Sequence, residues 1–155
     1  MKACTFFGHK DCPSTIIPLL EAVIMELIND HNVEMFYVGN QGQFDAYVRR
    51  VLRKITARYS RISYAVVLAY MPHGELDDFT DTMLPEGIEK VHPRYAISWR
   101  NRWMIRRADY VVAYITHSWG GAAQWVKAAK SQHRQVISLV NPEKNCGDSS
   151  AALGM

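Results

Sequence analysis

The stretch "DYVVAYITHSWGGAAQWVKAAK", residues 109–130, decides the fold class of this chain. From Tyr110 to Ile115 it is continuously apolar, as expected for a strand that is buried on both faces. After the glycine pair, apolar residues recur with the spacing of a helix. A strand that runs through a glycine turn into a helix is the building unit of a parallel sheet covered by helices.

The same strand-to-helix unit recurs along the rest of the chain. We predict strands at residues 2–8, 33–39, 62–70, 109–116 and 134–140. We predict helices at about residues 17–28, 44–55, 95–107 and 122–133. The first helix carries Pro18 in its first turn and is expected to be capped by Ser14 or Thr15. This alternation predicts an α/β fold, a Rossmann-like three-layer sandwich of about five mostly parallel strands with helices on both faces. Right-handed crossovers restrict the topology, and we predict the strand order 3-2-1-4-5.

Two segments fall outside this pattern. A long polar connection runs from about Met71 to Arg94, and connections of this length inside a domain are usually functional or disordered. The segment "NPEKNCGDSSAALGM", residues 141–155, predicts a flexible C-terminal tail. We therefore expect a single Rossmann-like domain over residues 1–140.

The composition narrows the class of protein. The chain has 155 residues, of which 48% are hydrophobic and 21% charged, as is typical of a globular domain with a sizeable core. A net charge of +3 allows an anionic ligand but is below the excess typical of nucleic-acid-binding proteins. The three cysteines have no CxxC spacing and the histidines no metal-ligand spacing, so we expect no metal site and no cofactor. Because no apolar run is long enough for a membrane span or a signal-peptide core, the expected location is the cytoplasm.

The predicted strand order creates a ligand crevice between strands one and four, where the direction of winding reverses. The loops "GHKDCPS" and "HSWGG" follow these strands and form the two lips of the crevice. Glycine lets the backbone approach a ligand, and free N–H groups at the start of the following helix attract an anion. The ligand-binding residues predicted here are Gly8, His9, Lys10, Thr116, Ser118, Gly120, Gly121 and Ala122. The alternative for both loops is a tight turn with solvated polar residues.

Two further segments supply candidate residues. Gly39, Asn40 and Asp45 follow the second strand, where an acidic side chain commonly binds ribose hydroxyls in dinucleotide folds. Asp45 equally fits a carboxylate that stabilises the start of the second helix, and both interpretations stay open. Arg100 and Asn101 lie near the start of the third helix, where we expect them to face the crevice and bind the charged or ribosyl part of a ligand.

Basic residues give the second predicted helix a charged outer face. A solvated surface is the ordinary explanation, and a polyanion or a protein partner is the alternative. Nucleic acid is therefore a possible partner but not the favoured one. The residues are Arg49, Arg50, Arg53, Lys54 and Arg58.

Several segments, taken in order, resemble one family. They are "TFFGHKDCP" (5–13), "FYVGNQGQFD" (36–45), "LPEGIEKVHPRYAISWRNRWMIRRADYVVAYI" (84–115) and the glycine pair with its helix. Nearly the whole chain, to about Val140, resembles the YpsA-like branch of the SLOG superfamily. These are Rossmann-like domains related to the cytokinin-activating LOG phosphoribohydrolases and to the DNA-processing protein DprA. The resemblance implies a nucleotide-derived ligand, either sensed or hydrolysed at a glycosidic bond, and self-association.

The LOG enzymes pair a catalytic arginine with a PGGxGTxxE motif, and this chain keeps only part of that pair. The resemblance assigns the arginine to Arg100, and the two glycines of the motif are present. Trp119 stands where the motif begins with proline, and Lys127 stands at its glutamate. Cleavage of an N-glycosidic bond needs a carboxylate to stabilise an oxocarbenium-like transition state, so the lysine argues against LOG-type turnover.

Three functions follow, in order of preference. The first is binding of a nucleotide or nucleotide-derived anion in the crevice, as a sensor or ligand-sequestering module. The second is hydrolysis of a nucleotide or of its N-glycosidic bond, with Asp81 or Glu86 as substitute carboxylate. The third is binding of nucleic acid or protein through the basic face. We also expect a homodimer or larger oligomer, for which Trp99, Trp103 and Trp125 are interface candidates as well as core candidates.

Overall fold

Helices cover both faces of a parallel sheet in the computed structural model of this protein, which describes residues 1–71 and 81–140. The strands of these residues are β1 (Lys2–Gly8), β2 (Val33–Val38), β3 (Ser63–Val67), β4 (Thr82–Met83), β5 (Tyr110–Tyr114) and β6 (Gln135–Ser138). The α-helices are α1 (Ile17–His31), α2 (Gly42–Arg58), α3 (Ala96–Arg107) and α4 (Gly121–Ser131). Short 3-10 helices lie at Ser14–Ile16, Ile88–Lys90 and Pro93–Tyr95. Residues 72–80 of the predicted connection and the predicted tail, 141–155, lie outside the described residues.

The sheet confirms the Rossmann-like α/β prediction. Its strands pair in parallel in the order β4-β3-β2-β1-β5-β6. The five predicted strands are β1, β2, β3, β5 and β6, and they stand in the predicted order 3-2-1-4-5. The direction of winding therefore reverses between β1 and β5, so the loops after these two strands meet at the same edge of the sheet.

The sheet of the described residues has six strands rather than five, because β4 adds to its edge. The backbone N–H groups of Val66 and Leu68 donate to the carbonyls of Asp81 and Met83, both at 2.8 Å. This strand lies within the connection that the sequence predicts as a polar loop. A strand of two residues is too short to show an alternating pattern, so its formation depends on the free hydrogen-bonding edge of β3.

The start of α1 differs from the predicted cap. Ser14 and Thr15 lie inside a 3-10 helix that runs directly into α1, and the N-cap position is Ile16. No side chain of the described residues caps this end. Pro18 lies in the first turn, as predicted, because its missing N–H has no partner there in any case.

The apolar residues form a core on each face of the sheet. Neighbouring residues of a strand point to opposite faces, so Phe6 joins the cluster with α1 and α2, and Phe7 joins the cluster with α3 and α4. Trp103 is buried in the second cluster, and Trp99 and Trp125 are partly buried against it. Over residues 1–71 and 81–140, the protein has no helix with the length and apolar character that crossing a membrane requires.

Gly8 ends β1 in close contact with an aromatic ring of α2. A Cβ at this position would lie 2.4 Å from the ring of Phe44, a distance that no side chain accepts without a shift. Phe44 is fully buried, so the ring has little room to move. The packing of α2 on β1 therefore requires glycine here, whether or not a ligand approaches.

We expect Gly8→Ala to destabilise the fold by about 1–3 kcal/mol, because the added methyl group overpacks the contact with Phe44. The combination Gly8→Ala/Phe44→Leu should lose less than the sum of the two single changes, since the smaller side chain leaves room for the methyl group. Chemical denaturation measures the three free energies of unfolding.

Gly121→Ala is the matched control for this experiment. A Cβ at Gly121 would meet none of the atoms of the described chain within 4 Å, and alanine suits a helix better than glycine does. Its stability should equal or slightly exceed that of the wild type. Additive losses in the double variant would contradict the assigned contact.

Candidate functional site

The loops after β1 and β5 meet at the carboxyl edge of the sheet, as the strand order predicts. The backbone N–H of His9 donates to the carbonyl of Tyr114 at 3.2 Å, so the two loops are joined directly. Lys10, Thr116 and Ser118 are exposed on these loops. The two loops therefore lie side by side at this edge, and these three polar residues are open to solvent.

A stack of three rings links the two lips of this crevice. The imidazoles of His9 and His117 lie 3.8 Å apart with an interplanar angle of 13°. The indole of Trp119 continues the stack at 3.8 Å from His117 and is 69% exposed. Desolvation, and then the nearby His117, lower the pKa of His9 below its usual 6.5. Burial and the stacked neighbour therefore favour the neutral form of the His9 imidazole.

The start of α4 is open towards the same edge. Gly120 has φ of 98° and occupies the N-cap position, and no side chain within the described ranges caps the helix. The backbone N–H groups of Gly121 and Ala122 belong to the first turn, whose N–H groups have no partner within the helix. With open space around Gly121, this end of α4 has the form of an anion site.

The β1 loop also contacts the start of α2. The backbone N–H of Gln43 donates to the carbonyl of Lys10 at 3.0 Å. Gly42 has φ of 88°, and a Cβ there would lie 2.9 Å from the Cα of Lys10. This contact fills part of the N-terminal end of α2 with protein, so α2 offers less room for an anion than α4 does.

A second group of predicted residues converges at Gly39, one strand further along the edge. A Cβ on Gly39 would lie 3.0 Å from Oδ2 of Asp45 and 3.2 Å from Nη1 of Arg100. The carboxyl group from α2 and the guanidinium from α3 therefore lie against the same glycine. A larger residue here would require the carboxyl group and the guanidinium to shift by a few tenths of an ångström.

Arg100 is the most buried charged residue of this edge, with 2% of its surface exposed. Its Nη1 donates to the carbonyl of Val67 at 2.6 Å and to Oδ1 of Asn40 at 3.4 Å. Its Nε donates to Oδ1 of Asn101 at 2.8 Å. Desolvation lowers the pKa of Arg100, which the attraction of Asp45 and then of Tyr70 partly opposes. A guanidinium remains protonated at any physiological pH, so the site holds a fixed positive charge.

Asp45 is a partly buried acid beside this charge. Burial raises its pKa from 3.8 to about 6, against the opposing effects of the Gln41 backbone N–H, Arg100 and Arg49. The Gln41 N–H donates to Oδ2 at 3.0 Å, so the carboxylate also holds the turn before α2. Both interpretations of Asp45 thus stand together, since it lies at a helix start and at the crevice.

The raised pKa of Asp45 predicts a specific dependence of stability on pH. The folded state binds the proton more tightly than the unfolded state, so this group adds stability as the pH falls from about 6 towards 3.8 and opposes folding above that window. Asp45→Asn should therefore be more stable than the wild type at pH 7.5, by about 1–3 kcal/mol. The difference should shrink towards zero at pH 4.5, as measured by urea denaturation of both proteins. A less stable Asn variant at pH 7.5 would contradict burial as the dominant cause.

Sequence reasoning missed several residues of this edge. Arg49 was assigned to the basic outer face, but it acts on Asp45, and its Nε is enclosed without a hydrogen-bond partner in the described part of the chain. Asp45 and Arg49 are spaced i, i+4 on α2, which is the signal that could have paired them. Tyr70, His117 and Trp119 carried no local signal, because their positions depend on how the loops fold.

Asn101 contacts Arg100 directly. Its amide oxygen binds Nε of Arg100, and the residue is buried, so it orients the guanidinium. Asp81, a candidate substitute carboxylate, binds the hydroxyl of Tyr64 and lies 3.5 Å from Nη2 of Arg53. Lys127 is exposed and lines a shallow groove on the surface of α4.

Neither a metal-binding group within the described residues nor a known relative is found for this site. Among residues 1–71 and 81–140, no group of three or more His, Cys, Asp or Glu side chains is arranged to hold a metal ion. Comparison of the sequence with known protein families and with curated proteins finds no match.

Proposed function

We propose that this protein binds a nucleotide or nucleotide-derived anion in the crevice between β1 and β5, with the ligand reaching across β2 to Arg100. One observation carries the proposal. A nearly fully buried guanidinium and a carboxyl group with a pKa of about 6 lie together against Gly39 at the carboxyl edge of the sheet. Both groups are costly to bury, and such groups concentrate where a protein binds or transforms a ligand.

The parts of the crevice suit different parts of such a ligand. The uncapped N–H groups at the start of α4 suit a phosphate group. Asp45 and Asn40 offer acceptors for ribose hydroxyls, and Arg100 supplies charge. β5 and β3 are three strand spacings apart, about 14 Å, which matches the length of one nucleotide.

The resemblance to the YpsA-like branch of the SLOG superfamily supports the same proposal. Under it, Arg100 is the arginine of that family, and its position at the carboxyl edge suits that role. Membership also implies a homodimer or larger oligomer. The free thiols of Cys4 and Cys12 agree with the reducing cytoplasm that we propose as its location.

We expect at least one nucleotide-derived anion to stabilise the folded protein. Thermal-shift measurements with nucleoside mono- and diphosphates, NAD, ADP-ribose and cyclic nucleotides provide the screen, and calorimetry then gives the affinity. Lys10→Ala and Arg100→Lys should weaken the binding roughly tenfold or more, because the first removes a cation and the second replaces the planar guanidinium with an ammonium that has fewer donors.

Lys130→Ala is the matched control, since this exposed lysine lies in the last turn of α4, away from the carboxyl edge. It should bind the ligand with unchanged affinity. A folded wild type that responds to none of these compounds would refute the proposal. An equal loss of affinity in all three variants would refute the assignment of the binding site to the carboxyl edge.

A second candidate, hydrolysis of the N-glycosidic bond of the same ligand, is favoured by the state of Asp45. A carboxyl group with a pKa of about 6 exchanges its proton near neutral pH, as a general acid or base must. Asp81 already binds Tyr64 and Arg53, so Asp45 is the better candidate for the carboxylate that Lys127 replaces in the LOG motif.

Under this second candidate, AMP incubated with the protein should release adenine and ribose 5-phosphate, detected by chromatography. Asp45→Asn should then lower the rate about a hundredfold or more while AMP still binds, because the amide cannot transfer the proton. Asp81→Asn should leave the rate close to that of the wild type. If no nucleoside monophosphate releases its base, hydrolysis is refuted and only the binding function remains.

The third interpretation, a polyanion surface on α2, has less support. Lys54 forms an ion pair with Glu21 at 3.2 Å, and Arg53 forms one with Asp81 at 3.5 Å. Arg49 acts on Asp45 at the carboxyl edge. Much of the basic face is thus engaged within the protein.

A further inference from the structure

A cavity of about 440 Å³ opens at the end of the sheet formed by β3 and β4. Residues 69–71 after β3 form one wall, and residues 84–89 after β4 form another. Val91, Pro93 and Ala96, leading into α3, complete the described part of its lining. This volume is within the range of small-molecule sites, and no residue of the lining belongs to the predicted crevice.

The cavity is apolar inside and acidic at its rim. Apolar side chains line most of it, and Ala69, Ile88 and Ala96 among them are buried. The acidic groups of the described lining are Glu86 and Glu89, both exposed. An apolar interior with a few polar groups at fixed positions is the usual composition of a ligand pocket.

Two exposed hydrophobic side chains stand at the opening. Tyr70 is 44% exposed and Met71 is 66% exposed. The hydroxyl of Tyr70 donates to the carbonyl of Pro93 at 3.0 Å, which fixes the ring across one end of the cavity. Large apolar groups held in this way at a pocket mouth are suited to contact a ligand rather than water.

The cavity adjoins the Arg100 site. Tyr70 forms part of its wall and lies near Arg100. Ala96 precedes Arg100 by one helical turn, about 6 Å along α3. Val67, whose carbonyl binds Arg100, precedes the lining residue Ala69 by two positions. A ligand bound at Arg100 therefore lies within the length of a nucleoside from the cavity.

We propose that this cavity holds the nucleobase of the ligand and that Glu86 and Glu89 select bases carrying an exocyclic amino group. The inference rests on the proposed function. A planar ring is stabilised by apolar burial, and an amino group donates to a carboxylate, whereas a carbonyl at the same position is repelled by it. Adenine and cytosine satisfy this condition, and hypoxanthine and uracil do not.

The order of strands gives the ligand a direction. The start of α4 follows β5, Asp45 and Arg100 lie at β2 and β3, and the cavity lies at β3 and β4. Phosphate, ribose and base would follow one another along this edge. The span from β5 to β4 is four strand spacings, about 19 Å, which is longer than one nucleotide. A mononucleotide whose base lies in the cavity would therefore place its phosphate towards Arg100, and only a longer nucleotide-derived ligand would also reach the start of α4.

Calorimetry with AMP, IMP, CMP, UMP and ribose 5-phosphate tests the inference. We expect the wild type to bind AMP more tightly than IMP, and CMP more tightly than UMP, by about fivefold or more, the effect of one hydrogen bond to a charged group. Glu86→Gln/Glu89→Gln should reduce both ratios to below about twofold. Its affinity for ribose 5-phosphate should not change, because that ligand lacks the base.

Glu26→Gln, an exposed glutamate of α1, is the control and should keep both ratios. Equal binding of AMP and IMP by the wild type, or ratios retained in the double variant, would overturn the base subsite. In either case, binding of ribose 5-phosphate would still support the proposed binding of a nucleotide-derived anion. Failure of all five compounds to bind the folded wild type would defeat both proposals. A double variant that sediments differently but keeps both ratios would assign the cavity to a contact between two copies of the chain.

Discussion

The carboxyl edge of this protein depends on one buried guanidinium. Arg100 is held by the carbonyl of Val67 at the end of β3, by the amide of Asn101 and by Asn40 after β2. Removing water from a cation costs several kcal/mol unless its partners are all in place. The end of β3, the loop after β2 and α3 must therefore be positioned correctly before this charge is stabilised. Gly39 also contributes, since a side chain there would crowd the guanidinium.

Stability and binding make opposite demands on this edge. The raised pKa of Asp45 means that its ionised form is held against the preference of its surroundings. The enclosed Nε of Arg49 and the uncapped start of α4 are further groups for which the described residues provide no hydrogen-bond partner. A protein selected only for stability would replace such groups or pair them. Their concentration along the carboxyl edge of the sheet is the physical basis of the proposals above.

Local pattern was sufficient for the elements that bury long apolar stretches. The sequence was enough to predict the strands at 2–8 and 109–116 and the helix after Phe44. Burial leaves a run of apolar residues in a strand and a repeat of apolar residues in a helix. The right-handed crossovers of such folds restricted the possible strand orders, and the predicted order of the five strands is the one observed. The two-residue β4 was not readable, because it forms only against the free edge of β3. The cap predicted for α1 was wrong because the chain enters that helix through a 3-10 turn instead.

The sequence by itself determined the alternation of strands and helices, the edge at which polar loops gather, and the presence of Arg100 and Asp45 near it. Only the tertiary structure decided which residues meet. It gave Gly8 a packing role against Phe44, turned Asn101 towards Arg100, and stacked His9 on His117. The physical reason is that periodicity records whether a residue is buried, whereas a contact between distant segments depends on the packing of every element between them.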